Sequence, residues 1–161
     1  MSIAGNKLAG ILAEDQNCIL FLHNTKSKDI AQNILENGFC FEDQLAYSTD
    51  RINPKDSVEI SYFLVERKEY GDYTIIIEID KKIFKQYNGL ADASDIHFEE
   101  LFTITLPELS DNDEFIYTLS PHYVKGVFNN RTGEFTRNQT FKPDYDSPSY
   151  LENYNRIKDE S

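Results

Sequence analysis

The sequence predicts an α+β domain, with two helices near the N-terminus followed by a mostly antiparallel set of strands. Three observations predict it. Apolar residues recur at helical spacing in two stretches between residues 27 and 71, strand-like runs follow one another from residue 73 to 128, and polar or glycine-containing breaks separate those runs.

CILFLH, residues 18–23, is apolar and rich in strand formers, and reads as a buried strand that ends on His23. From Ser27 the period changes. Ile30, Ala31, Ile34 and Leu35 recur at helical spacing, Thr25 or Ser27 can cap the start, and Gly38 stands where a left-handed residue closes a helix. LAYST, 45–49, is a short second strand, and Asn53-Pro54-Lys55-Asp56 turns the chain into a second helix opened by Ser57. Val58, Tyr62, Phe63 and Val65 lie along that helix, and Gly71 ends it. YTIIIEI, 73–79, is a near-continuous β-branched run of the kind found in the middle of a sheet. DKKIFKQY adds a short helical turn and 88–97 a loop. LFTITL, 101–106, and EFIYTL, 114–119, alternate as half-buried strands on either side of the polar break from Ser110 to Asp113. Pro121 interrupts, YVKGVF resumes the sheet, and RTGEF is a hairpin turn with Gly133 supplying positive φ.

At 161 residues the chain has the length of one ordinary domain, able to bury a core without disulfides or metals. Residues 1–142 are read as that domain. Residues 143–161 are polar, carry two prolines and lack periodicity, which predicts a loosely docked tail. The apolar content of 40% and charged content of 27% are those of a globular protein. Sixteen basic against 28 acidic residues leave a net charge of -12, which repels phosphate backbones and argues against nucleic acid as a partner. The same surface suits a basic protein partner. Cys18 and Cys40, both in apolar stretches, read as reduced core thiols. The apolar run at the N-terminus is broken by Glu14 and Asp15 and lacks the layout of a secretory signal, and no stretch has the roughly 18 apolar residues of a membrane span. A cytoplasmic protein without a membrane partner is the expectation.

Several familiar sites are missing. The chain has no GxxxxGK[ST] or GxGxxG, and seven glycines leave little for a phosphate cradle. DNDE, 111–114, starts like a calcium loop, but Ile116 and His122 occupy the positions that need a glycine and a bidentate glutamate. Asp92, Asp95 and His97 match no regular face, so no metal is expected.

What remains is a histidine at one strand end, a tyrosine at the next, an aromatic helix and a glutamate opening a later strand. LFLHNT, an amphipathic helix ending in ILENGF, and LAYSTD together resemble the opening of the ADP-ribosyltransferase fold, in the His-Tyr-Glu branch that includes poly(ADP-ribose) polymerases and diphtheria-type toxins. EFIYTLSPHYVKG resembles the strand of that family which bears its glutamate. The resemblance covers about residues 18–128 and rests on the order and spacing of the motifs together. It implies a split, mostly antiparallel sheet and a mono-ADP-ribosyltransferase that uses NAD as substrate, without a metal, to modify a protein acceptor. Its catalytic residues would be Glu114, His23 and Tyr47, and its NAD-binding residues His23, Asn24, Thr25, Tyr47, Ser48, Thr49 and Tyr62. The register of the acidic run leaves Asp111, Asp113 and Glu114 as alternatives for the carboxylate. Family members usually have a glycine where this chain has Asn24, a residue that tolerates left-handed geometry. The related 2′-phosphotransferases hold phosphate with arginines, and none of Arg51, Arg67, Arg131, Arg137 or Arg156 sits in the matching motif.

The chemistry is consistent with those residue types. Losing nicotinamide leaves an oxocarbenium-like ribose, which a nearby carboxylate stabilises. Tyrosine faces attract the cationic nicotinamide ring, and a neutral imidazole fixes a ribose hydroxyl. The alternative from another class is a non-catalytic acidic interaction protein of the immunity type, which keeps the fold and masks a basic partner. It predicts affinity that falls steeply with salt.

Overall fold

The computed structural model describes residues 3–14, 17–41, 49–52, 72–88, 105–109 and 115–146. Their elements are α1 (Ile3–Leu12), β1 (Cys18–Thr25), α2 (Lys28–Asn37), β2 (Phe39–Phe41), β3 (Thr49–Ile52), β4 (Tyr73–Asp80), α3 (Lys81–Asn88), β5 (Thr105–Leu109), β6 (Phe115–Leu119), a 3-10 turn (Pro121–Tyr123), β7 (Val124–Asn129) and β8 (Phe135–Arg137). The strands form a five-stranded sheet in the order β3-β1-β4-β7-β8 and a three-stranded sheet in the order β2-β6-β5. Every pairing is antiparallel. The chain is thus an α+β protein.

The run of isoleucines explains the centre. In β4, Ile75, Ile76, Ile77 and Ile79 are all fully buried, because this strand has β1 on one side, β7 on the other and apolar layers on both faces. On one face Ile19, Phe21, Ile75, Ile77 and Ile79 pack with Ala31 and Ile34 of α2, Phe39 of β2 and Leu119 of β6. The smaller sheet therefore shares the main core. On the other face Leu20, Leu22, Ile76 and Phe128 receive Leu8, Ile11 and Leu12 from α1.

That first helix was not among the expected elements. Leu8, Ile11 and Leu12 have helical spacing, but Gly5 and Gly10 dilute the signal, and the first turn holds no acidic residue. Burial against the sheet supplies what propensity does not. Gly10 is exposed and nothing lies within 4 Å of where a Cβ would stand. Gly10→Ala is therefore expected to stabilise the protein by about 0.5–1 kcal/mol, a rise of about 1–4 °C in Tm by calorimetry. A fall in Tm would mean that α1 is not helical there.

Elsewhere the sequence reading and the structure differ in detail. Of the strand expected at 45–49 the described part is Thr49, which opens β3, and of the one expected at 101–106 it is Thr105 and Leu106, which open β5; 42–48 and 101–104 lie outside the described residues. The helix expected from Ser57 to Gly71 lies outside them too. The short helical turn expected over DKKIFKQY is a full eight-residue helix, Lys81–Asn88, which leaves Asp80 to β4 and takes in Asn88 from the expected loop, and its Ile83 enters the core. At the hairpin after β7, Gly133 has φ 76°, as the turn requires.

The segment expected as a loose tail begins firmly. Lys142 N–H donates to the His122 carbonyl (2.7 Å), Asp80 N–H to the Pro143 carbonyl (2.9 Å), and the Tyr145 ring lies flat on His122 at 3.8 Å. The Tyr123 hydroxyl donates to the Tyr145 carbonyl. Lys82 Nζ sits 3.2 Å from Asp144 and, chiefly by that hydrogen bond, holds its carboxyl below the usual range. Aromatic contact and backbone hydrogen bonds fix these residues where composition alone suggested freedom. Residues 147–161 lie outside the described ones.

Candidate functional site

Strand alternation divides the end of β1 between the two faces of the sheet. His23 follows Ile19 and Phe21 onto the α2 face, where its half-buried ring meets the Phe39 ring at 4.9 Å, tilted by 52°. Phe39 is held in turn by its pairing with Leu119 of β6. On the other side of β1, His23 lies opposite Thr49, the first residue of β3. Two residues 26 positions apart in the chain, the first of the motif at 23–25 and the last of the motif that ends at Thr49, are thereby laid side by side.

The neighbours of His23 have packing roles of their own. Asn24, 9% exposed, points to the α1 face and accepts a hydrogen bond on Oδ1 from the Thr74 hydroxyl at 3.0 Å. It stands in a regular ladder opposite Thr74, so its backbone is extended and not left-handed. Thr25 Oγ1 accepts from the Ser27 N–H at 3.3 Å, and Ser27, not Thr25, caps α2 by accepting from the Ile30 N–H at 3.2 Å. A threonine followed two residues later by a serine cap thus makes a rigid corner between the histidine strand and α2.

Of the other candidates, Tyr47, Ser48, Tyr62, Asp111, Asp113 and Glu114 lie outside the described residues. The structure brings His23 and Thr49 together and leaves the alternatives for the carboxylate open. Among the described residues no group of three or more His, Cys, Asp or Glu side chains gathers, and no helix is long and apolar enough to cross a membrane.

A pocket of about 110 Å³ lies on the same face, between α2 and the outer strands. Ala31, Leu35 and Val127 form its apolar lining, and Lys28 and Glu134 contribute opposite charges. His23 is not part of it. Its strand residues come from β4, β7 and β8 and the turn before β8, while His23 borders β3 on the other side of β4.

Among the described residues the most buried charges lie away from His23. Lys125 and Glu78, each 1% exposed, pair at 2.9 Å, and the Lys125 ammonium also donates to the Ile11 carbonyl at the C-terminal turn of α1 (2.9 Å). Arg137 holds Glu14 with two hydrogen bonds of 2.8 and 3.0 Å beside them. A β-bulge makes this possible: Ile76 lies opposite Gly126 and Ile77 opposite Val124, so Lys125 is the extra residue and its side chain is re-aimed. The only sequence signal was a glutamate inside an isoleucine run. Compared with known proteins, the chain matches no family model, no curated protein and no solved structure.

Proposed function

We propose that the chain is an NAD-dependent mono-ADP-ribosyltransferase acting on a protein acceptor, with its cleft at the end of β1 on the α2 face. The observation that carries the reading is the pairing of His23 with Thr49, which sets the first residue of His-Asn-Thr beside the last residue of Tyr-Ser-Thr. The division of the strands into a five-stranded and a three-stranded antiparallel sheet supports it as well.

On this reading His23 binds a ribose hydroxyl, and Tyr47 and Tyr62 flank the nicotinamide. The bond between nicotinamide and C1′ breaks, its electron pair leaves with neutral nicotinamide, and Glu114 stabilises the cationic ribose through the 2′-hydroxyl. A nucleophilic side chain of the acceptor then bonds C1′ and gives up its proton.

Nicotinamide release by the purified protein, beside Glu114→Ala and His23→Ala, tests this. Glu114→Ala is expected to lower release by about 10²–10³-fold with NAD still bound. Asp111→Ala and Asp113→Ala are expected to stay near wild type. Neither NAD binding nor release by wild type overturns the reading. The net charge of -12 favours a second one, an acidic module that masks a basic protein, whose mark is affinity lost steeply with added salt.

A further inference from the structure

Thr74 directly precedes the Ile75-Ile76-Ile77 run of β4, and it is fully buried. A valine has the same shape and no hydroxyl to satisfy, so a buried threonine is retained at a cost unless its hydroxyl is used. Here it is used twice. The hydroxyl donates to Asn24 Oδ1 at 3.0 Å and accepts from Asn130 Nδ2 at 2.7 Å. The chain of bonds crosses the sheet from β1 through β4 to the hairpin after β7, joining residues 50 and 56 positions apart. Asn130 is anchored besides by its own N–H on the Asp72 carbonyl at 2.7 Å. Among the described residues its Oδ1 meets no donor, and its Nδ2 makes the bond to Thr74.

All three side chains serve the α1 side of the strand end whose opposite side carries His23. Pulling Asn24 one way fixes the pleat, and the pleat fixes the direction of the residue before it. We infer that Thr74 and Asn130 are positioning residues for His23: through Asn24 they hold the end of β1 so that the imidazole stays directed at the α2 face. They touch no substrate. The inference deepens the transferase reading and rests on it for its kinetic consequence, but not for its structural one.

The test uses the full chain with two readouts. The protein has three histidines, so the imidazole signals of His23, His97 and His122 are separable by nitrogen-15 NMR, with His23→Gln assigning the first. Thr74→Val is expected to move or broaden the His23 signals and leave those of His122 in place. It also lowers kcat for nicotinamide release about tenfold, with KM for NAD within about twofold, and Thr74→Ser restores both readouts. Unchanged His23 signals in Thr74→Val overturn the inference. Should that variant fail to fold, Asn130→Ala, at a half-buried hairpin position, gives the same readout, and unchanged His23 signals there overturn it equally. A wild type that releases no nicotinamide sinks the transferase reading alone, since the imidazole spectra still decide whether Thr74 positions His23.

Discussion

Lys125→Met is expected to destabilise the protein by about 3–5 kcal/mol, read as a lower urea midpoint, because it removes the ammonium that lies 2.9 Å from the buried Glu78 carboxylate. The position admits little relief. Glu78 and Lys125 are each 1% exposed, and Glu78 lies in the central strand with sheet on both sides. The same substitution takes one of the donors from the Ile11 carbonyl and so loosens α1, whose Leu8, Ile11 and Leu12 close the second core face. The double variant Glu78→Leu with Lys125→Met is expected to recover most of the loss, since replacing both partners by apolar groups removes the desolvation cost along with the attraction. Lys125→Met within about 1 kcal/mol of wild type would mean that water reaches Glu78 and that the pair is not buried. The exposed pair of Lys82 with Asp144 is the contrast. Both residues are well exposed, and an ion pair of that kind contributes little.

Gly38→Ala carries the second large effect. The residue has φ 95° and ψ 176°, a region essentially closed to side chains, which alone costs about 1–3 kcal/mol. A Cβ there would also stand 2.3 Å from the Leu119 carbonyl oxygen and 3.1 Å from the Pro121 ring, so the two strands must shift where β2 meets β6. Overpacking of this kind adds about 1–3 kcal/mol. The dihedral makes the prediction sharper than a generic glycine argument. At an ordinary left-handed helix cap asparagine is tolerated, so Gly38→Asn would lie close to wild type; at ψ 176° it is expected to be at least as damaging as alanine. Thermal unfolding of the two variants decides between the geometries.

The sequence already showed that a glycine is wanted at residue 38, because the helical period of α2 stops there. It did not show why. The usual reason is a left-handed cap; in the structure Gly38 N–H still closes α2 on the Ile34 carbonyl, but the chain then turns straight into β2 beneath the Leu119 backbone. The same division holds at the candidate site. His23 was legible as a strand end, and Thr25 and Ser27 as rival caps, since those are local patterns. That Asn24 turns away to Thr74 and Asn130 could not be read, because its partners lie 50 residues and more away in the chain.

Local spacing was enough to determine the α+β class, α2, the central strand β4 and the hairpin at Gly133, since period and turn chemistry act between residues within a few positions of one another. Tertiary structure alone decided the rest. It made a helix of a glycine-bearing N-terminus by burying three of its residues, and aimed Lys125 at Glu78 through a one-residue bulge. It also laid Thr49 beside His23 and pinned Lys142 and Tyr145 against His122 and Tyr123. Each of these depends on which distant strand lies alongside, and that choice is made by the core as a whole.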